Sequence, residues 1–296
     1  MRIVCLVLVL TTSIARAQVQ DLGHRFPAGV GLDAGTQADQ GLYVGNRFAW
    51  FASSELRDRH GRVIPIENLD LDAYTDMSGL AGTLQLGGIY ASAAIAAPIV
   101  KLSLSSDNPA ASVDRLGLGD VFVEPFNLGG RLSHADVVAS YSFYVPTSQG
   151  QRGDLGRPQW AHQLAAGGTV FFEDDRHGWR LSALASHVRN GKKRGIAIAR
   201  GDTVQLQGGV GGRVADGVEV GVAGYALWQV SEDRGPDLPA VLRGARERAF
   251  GLGPEVDVLV PALRSQLSVR LAWDIDGRSR PVGTILVVGL SVVAWR

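Results

Sequence analysis

Polar side chains recur at alternate positions of several strand-like runs, and their types are suited to acting on a solute. The set comprises Asp120, Glu124, Asp136, Tyr144, Arg213, Glu219, Gln229, Glu255, Asp257, Arg270 and Asp274. Alternate residues of a strand point to one face of a sheet. Charged groups sharing the interior of a narrow β-barrel could steer a solute or gate its passage. Alternatively they pair with one another and fill the interior, because a buried charge must be paired or solvated.

Patterns that accompany hydrolytic and metal-dependent chemistry are missing from the sequence. It contains no Gly-x-Ser-x-Gly and no His-Glu-x-x-His pattern, and its six histidines lack ligand spacing. The glycine-rich stretch 208–212 lies inside a strand-like run and is not followed by a helix, so it is a weak phosphate loop. Ser186 and His187 are adjacent, and adjacent strand residues point to opposite faces. We therefore expect neither an enzyme nor a cofactor; a hydrolase whose Ser and His meet through folding is the alternative.

Strands must position these residues, because polar and apolar residues alternate along most of the chain. In the run 264–276, for example, Leu267, Val269 and Leu271 alternate with Ser268 and Arg270. The predicted strands are 41–56, 72–86, 89–104, 116–130, 134–146, 159–172, 178–190, 202–214, 217–230, 247–260, 264–276 and 281–296. The pattern predicts a sheet with one apolar and one polar face.

The connections between these runs alternate in length. The long connections are 57–71, 105–115, 147–158, 191–201 and 231–246, and the short ones are 87–88, 132–133, 173–177, 215–216 and 261–263. Outer-membrane barrels have short periplasmic turns and longer extracellular loops. We therefore predict an all-β fold, a transmembrane antiparallel up-and-down β-barrel of about 12 strands over residues 41–296 with apolar residues facing lipid. A soluble β-sandwich or lipocalin-like barrel, apolar on the inside, is the alternative.

The N-terminal residues predict export. Met1-Arg2, the apolar run Ile3–Leu10 and Ala15-Arg16-Ala17 form a signal-peptide pattern, with cleavage expected after Ala17. The alternative is a buried N-terminal strand or helix. The only cysteine, Cys5, lies in this peptide, so the mature chain has no disulfide or cysteine-based metal site. We interpret residues 18–40, which are rich in Gly and Asp, as a periplasmic lead-in.

Net charge and hydropathy argue against two other classes of protein, nucleic-acid-binding proteins and proteins with a membrane-spanning helix. The 29 basic and 29 acidic residues balance, which gives no indication of nucleic-acid binding. Residues 77–100 carry no charge and are long enough for a membrane helix. Their glycines, Pro98 and interspersed polar residues instead favour two strands joined at Gly87-Gly88.

Aromatic residues cluster near the predicted strand ends. They are Trp50, Phe51, Trp160, Phe171, Phe172, Trp179, Trp228, Trp273 and Trp295. Such residues usually form the interfacial girdles of a barrel, and the alternative is that they line a path for aromatic solutes. Arg243, Arg246 and Arg248 lie in or near the loop 231–246. They could contact lipopolysaccharide phosphates or be solvated loop charges.

Five segments resemble one family of outer-membrane proteins. They are 117–126 (GLGDVFVEPF), 144–150 (YVPTSQG), 224–233 (GYALWQVSED), 251–256 (GLGPEV) and 280–283 (RPVG). In order and spacing they resemble the family named after the meta-cleavage pathway of phenol degradation, over nearly all of the mature chain. The resemblance implies an outer-membrane barrel that takes up hydrophobic or aromatic compounds. One departure is at the end of the chain, where Arg296 follows Trp295, since such barrels commonly end on an aromatic residue.

Together these observations lead to three hypotheses about function. The first is a monomeric outer-membrane barrel through which small, hydrophobic or aromatic molecules pass passively, surrounded by lipid and lipopolysaccharide. The second is a structural or interaction barrel whose lumen is sealed by paired charges. The third is an outer-membrane hydrolase, which needs a nucleophile, a base and a third group within hydrogen-bond reach. The sequence leaves open whether residues 18–40 plug the lumen and whether a solute leaves into the periplasm or sideways into lipid.

Overall fold

The computed structural model describes residues 24–25, 30–107, 112–149, 154–172 and 178–295. The predicted signal peptide lies outside these residues. The strands are β1 Gly41–Arg57, β2 Val63–Ile64, β3 Asp70–Leu86, β4 Ile89–Ser105, β5 Val113–Leu118, β6 Val121–Arg131, β7 Ala135–Val145, β8 Ala161–Phe171, β9 Arg180–Asn190, β10 Thr203–Ala215, β11 Val218–Gln229, β12 Arg248–Val260, β13 Ser265–Arg278 and β14 Arg280–Trp295. Two 3-10 turns, Ala240–Leu242 and Pro261–Leu263, complete the regular structure of this part of the chain.

The strands form one closed antiparallel sheet. Each strand pairs with its sequence neighbours, and β14 pairs with β1, for example at Phe48 opposite Val288. The short β2 only extends the edge of β1, and β5 and β6 pair in succession with β4 as one interrupted barrel strand. The 14 elements therefore make a barrel of twelve strands, which confirms the predicted fold. Closure removes the unpaired edges that an open sheet would expose.

The uncharged stretch 77–100 forms a hairpin between β3 and β4. Leu86 pairs with Ile89, so the turn consists of Gly87 and Gly88, and Gly87 has φ +65°. A two-residue hairpin turn needs positive φ, which glycine adopts without steric cost. The prediction of two strands is confirmed. Among the described residues, no helix has the length and apolar character needed to cross a membrane.

Alternation along the strands separates an apolar exterior from a polar interior. In β12, the side chains of Leu252 and Val256 point outward and are 45% and 39% exposed. Glu255 and Asp257 occupy inward-facing positions of the same strand and are 5% and 3% exposed. The last strand, which is apolar on both faces in sequence, resolves in the same way: Leu290 is exposed, and Val287 is buried. The exposed apolar side chains match the lipid-facing band of an outer-membrane barrel, so the predicted orientation is confirmed and the apolar-inside alternative is wrong.

Most of the predicted girdle aromatics are exposed near the strand ends. They include Trp160, Phe172, Trp179, Trp273 and Trp295. Phe171 and Phe51 differ from that expectation. Phe171 is 4% exposed, and Phe51 packs against an inward-facing cluster that contains Leu227 and Ile285. Both lie on the inward phase of their strands, so period 2 determines their environment more than nearness to a strand end.

Residues 30–38, which precede β1, lie inside the barrel. Residues 30–38 are hydrogen-bonded to inward-facing side chains of β7, β8, β9, β12 and β13, and Leu32 and Ala34 are 1% and 0% exposed. The sequence predicted a periplasmic lead-in, and the structure instead places this part of it in the lumen. The physical reason is that its backbone exchanges hydrogen bonds with buried carboxylates and guanidiniums of the barrel wall. We call residues 30–38 the luminal segment.

Candidate site in the barrel lumen

The luminal segment binds one cluster of charged wall residues. The backbone N–H of Leu32 donates to Oε2 of Glu255 at 3.1 Å, and Nη1 of Arg270 donates to the carbonyl oxygen of Val30 at 2.8 Å. Glu255 and Arg270 are directly opposite each other on β12 and β13, with 3.8 Å between Oε2 and Nη1. Each member of the pair therefore also makes one hydrogen bond to the backbone of the segment.

A second cluster lies at the periplasmic end of the segment. Arg180, at the start of β9, donates to Asp33 at 2.9 Å and to Glu219 at 2.5 Å. The buried carboxylate of Asp136 accepts the backbone N–H of Gln37 at 3.0 Å. Bonds to charged groups are stronger than neutral ones. These contacts anchor the segment to β7, β9 and β11 together.

Packing as well as charge holds the segment. The methyl groups of Leu32 lie 2.8, 3.0 and 2.7 Å from the positions that a Cβ atom would take on Gly209, Gly211 and Gly221. Side chains at these three positions would collide with Leu32. Gly209 and Gly211 therefore leave room on the barrel wall both for the neighbouring strand and for the apolar side chain of Leu32.

At the extracellular end, His24 is held by a buried group of charges. The backbone N–H and Nδ1 of His24 contact Oε2 of Glu247 at 2.6 and 2.7 Å. Arg280 lies 3.1 Å from Oε1 of Glu247, and Arg200 lies 3.8 Å from its other oxygen. Arg200 also pairs with Asp233 at 2.9 Å.

The charged residues around Glu247 determine its charge state. Glu247 precedes β12 in a loop, and burial alone would raise its pKa. The hydrogen bond and charge of His24, with the guanidiniums of Arg280 and Arg200, outweigh burial and lower the pKa to about 2. Glu247 is therefore an anion that fixes the chain near His24 at neutral pH.

Arg25 makes a third contact between the N-terminal chain and the barrel wall. Arg25 pairs with Asp120, and its guanidinium lies 4.1 Å from the ring centre of Tyr144. Asp120 also accepts the backbone N–H of Arg157 at 2.8 Å. Residues 24 and 25 therefore approach the extracellular half of the barrel, whereas Gln37 approaches its periplasmic end.

The remaining predicted site residues face inward but contact the wall. Glu124 accepts from Asn127 at 3.2 Å, and Asp274 accepts from Tyr225 at 2.7 Å. Gln229 donates to Asp233 at 2.7 Å. Arg213 is opposite Glu219 on β11. The structure thus brings Glu255, Asp257 and Arg270 together with Glu219 around the segment, and it places Glu124, Gln229 and Asp274 elsewhere.

Sequence reasoning missed the groups that hold the N-terminal chain. The alternation pattern does not identify five residues that hold the N-terminal chain: His24, Arg180, Arg200, Glu247 and Arg280. Glu247 and His24 are 223 positions apart, so no local spacing relates them. The only local signal is that Arg180 opens a strand on the inward phase.

A cavity remains beside the luminal segment. It has a volume of about 380 Å³ and lies between the segment and the inner faces of β1, β3, β4, β6, β12, β13 and β14. Part of its wall is apolar, and the side chains there are Met77, Ala81, Ala94, Ala96, Phe122 and Val287. Another part is charged and contains Arg47, Glu255, Asp257 and Arg270. The paired charges therefore fill the lumen only in part.

Ser186 and His187 do not form a catalytic pair. Ser186 is 6% exposed on the inward face of β9, and the side chain of His187 is 46% exposed. They point to opposite sides of the wall, as the adjacent positions predict.

Solved structures with the same architecture are outer-membrane barrels. An outer membrane channel from Pseudomonas putida F1 superposes with a TM-score of 0.75 at 15% identity, over 91% of this chain and 99% of that one. The β domain of the Bordetella autotransporter BrkA has a TM-score of 0.52 at 14% identity, over 86% and 100% of the two chains. At these identities the similarity shows the fold, that of an outer-membrane β-barrel.

Sequence comparison supplies a family. The family described as "Putative MetA-pathway of phenol degradation" matches residues 53–288. No curated protein matches the chain. The matched range covers ten of the twelve barrel strands in full, together with parts of β1 and β14.

Proposed function

Because the chain belongs to the family described as "Putative MetA-pathway of phenol degradation", we propose that it is an outer-membrane channel for passive passage of small, hydrophobic or aromatic compounds. The observation that carries the proposal is the luminal cavity of about 380 Å³ beside the luminal segment. Its volume falls within the roughly 300–1,000 Å³ typical of small-molecule sites. A barrel of this strand number has little further room, so the solutes are small.

The luminal segment defines how passage works. It crosses the lumen between Asp136 at the periplasmic end and the Glu255–Arg270 pair, so a solute must pass beside it or displace it. Its anchors are hydrogen bonds and ion pairs with side chains, and it forms no strand with the wall. A segment attached in this way is released more readily than a barrel strand, because its departure leaves the closed sheet intact.

We infer that the surroundings of the barrel are lipid and lipopolysaccharide and that it acts as a monomer. Two of the three loop arginines already have acidic partners, which reduces their availability for lipopolysaccharide phosphates. Arg246 lies 3.4 Å from Glu232, and Arg248 pairs with Asp276.

Swelling of liposomes tests the proposal. The refolded chain is inserted into liposomes, and swelling is followed in polar solutes of graded size, with protein-free liposomes as the control. We expect slow swelling that falls steeply as solute size exceeds that of a single ring. A folded barrel that gives no swelling with any solute would contradict a route past the segment.

A sealed structural barrel is the second candidate, and a specific observation favours it. The luminal segment and the ion pairs of Arg180, Arg270 and Glu247 together occupy much of the lumen. Absence of swelling, combined with unchanged behaviour when the segment is released by mutation, would support this candidate instead.

A further inference from the structure

The geometry points to a ligand subsite at Asp257 in the luminal cavity. The subsite takes a compact molecule with an apolar body and one hydrogen-bond-donating head, either an ammonium or a hydroxyl group. This inference deepens the proposed channel function, because the cavity lies on the proposed route, but binding at Asp257 can be measured without transport.

Asp257 is a buried carboxylate whose hydrogen-bonding capacity is unused. The residue is 3% exposed, and neither Oδ1 nor Oδ2 has a hydrogen-bond partner within the described residues. Buried polar groups in proteins nearly always have partners, and a buried carboxylate without one is costly. Both oxygens are therefore free to accept a donor that enters the cavity.

The two cations that act electrostatically on Asp257 are engaged with other groups. Arg180 binds Asp33 and Glu219, and Arg270 binds the carbonyl oxygen of Val30 and faces Glu255. Glu255, two positions from Asp257 on the same face of β12, accepts the backbone N–H of Leu32. Asp257 thus differs from its acidic neighbours, which are bound by the luminal segment or by arginines.

The charges around Asp257 select the sign of the ligand. Asp33, Glu219 and Glu255 act electrostatically on Asp257, and so do the cations Arg180 and Arg270, which already pair with acidic residues. Arg47 also lines the cavity, so the selection concerns the head group that meets Asp257. An anionic head would meet several carboxylates, whereas a donor would gain hydrogen bonds from unused acceptors. The subsite is therefore expected to reject carboxylates and accept ammonium or hydroxyl groups.

The same cavity also provides an apolar wall. Met77, Ala81, Ala94 and Phe122 line it together with Asp257. Phe122 packs on Tyr144 with 5.3 Å between ring centres, which holds an aromatic face at the edge of the cavity. A ligand that reaches Asp257 can therefore bury an apolar body against these side chains.

Four probes with one ring and one attached carbon test the assignment: benzylamine, benzyl alcohol, toluene and benzoate. Binding to the full refolded barrel in detergent is measured by saturation-transfer NMR, with empty micelles as the reference for partitioning. We expect benzylamine, benzyl alcohol or both to bind at least tenfold more tightly than toluene and benzoate. A site that depends on unused acceptors discriminates strongly against analogues without a donor.

Variants of Asp257 connect that preference to the carboxylate and separate the two donors. Asp257→Leu is expected to remove the preference for both donors. Asp257→Asn keeps one acceptor without the charge, so loss of benzylamine alone would identify an ammonium site, and retained binding of benzyl alcohol would identify a hydroxyl site. A preference for donors that survives in Asp257→Leu would overturn the proposal. Asp216→Asn, in an exposed turn between β10 and β11, is the matched control.

The outcomes also distinguish this inference from the channel function. Equal binding of all four probes would mean that water alone satisfies Asp257, and it would overturn the subsite whatever the swelling assay shows. Donor-selective binding by a barrel that gives no swelling would support the subsite and contradict the channel. Heat-dependent migration in gel electrophoresis confirms that each variant is folded before it is assayed.

Discussion

The backbone N–H of Leu32 donates a hydrogen bond of 3.1 Å to the carboxylate of Glu255, 223 positions further along the chain. This bond joins the luminal segment to the centre of the barrel wall. Because Glu255 is also opposite Arg270, one carboxylate links the segment to a cross-strand ion pair. The bond therefore connects the luminal segment directly to the charged residues of the barrel wall.

A disulfide between the segment and the wall is expected to lock the segment in place. The hydroxyl oxygens of Thr36 and Thr169 lie 2.8 Å apart, so their side chains are in contact, as a disulfide requires. In the double variant Thr36→Cys and Thr169→Cys, oxidation is expected to reduce liposome swelling to the protein-free level. Reduction with dithiothreitol is expected to restore it.

Each single cysteine variant serves as the control for the lock, since neither can form the bond. Cys5, the only natural cysteine, lies in the predicted signal peptide, so no other thiol competes in the mature chain. If the oxidised double variant swells like the wild type, solutes pass beside a stationary segment.

Truncation of Leu32 is expected to loosen the segment. Leu32 is 1% exposed and fits against three glycines, and Leu→Ala changes at such sites typically cost about 2–5 kcal/mol. We expect Leu32→Ala to open more often in single-channel recordings while the barrel stays folded. Leu206→Ala, on the lipid-facing side, is the matched control, and equal behaviour of the two would show that this contact does not hold the segment.

Loss of the Arg180 cation is expected to weaken the segment and change ion selectivity. Arg180→Gln leaves Asp33 and Glu219 without their shared guanidinium. Removing one partner of a fully buried pair typically costs about 3–5 kcal/mol, and the cost here is smaller because the side chain of Asp33 is 45% exposed. Reversal potentials in a salt gradient should shift toward cation selectivity. Arg194→Gln, at an exposed loop position, should leave the potential unchanged, and a similar shift there would argue against a local effect.

Acid is expected to release the chain near His24. The pKa of Glu247 lies at about 2, below its ordinary value of 4.5, so its contribution to stability is complete above pH 4.5 and is lost as the pH falls toward 2. Urea unfolding midpoints at pH 7, 4 and 3 measure this loss. Glu247→Gln should be less stable at pH 7 and should show a smaller decrease in acid than the wild type.

Glu232→Gln controls for the general effect of acid on the barrel, because the side chain of Glu232 is half exposed in the same loop. It should follow the wild-type pH dependence. An unchanged acid dependence in Glu247→Gln would place the sensitive group elsewhere.

The strands and the orientation of their faces were determined by the sequence itself. Alternation such as that of Leu252, Glu255 and Val256 depends only on period 2, and a hairpin turn such as Gly87-Gly88 depends only on local backbone freedom. The list of inward-facing polar residues follows from the same period, and so does the reading of Ser186 and His187 as opposite-facing. Such local properties are present in short windows of sequence.

Only the tertiary structure decided what occupies the lumen. The contacts of Leu32 with Glu255, His24 with Glu247 and Arg180 with Asp33 join positions that are between 147 and 223 residues apart. No periodicity relates a segment without regular structure to the wall it binds, because its partners are brought together by closure of the barrel. For the same reason only the tertiary structure shows that Asp257 has no hydrogen-bond partner among the described residues, whereas the neighbouring Glu255 binds the segment.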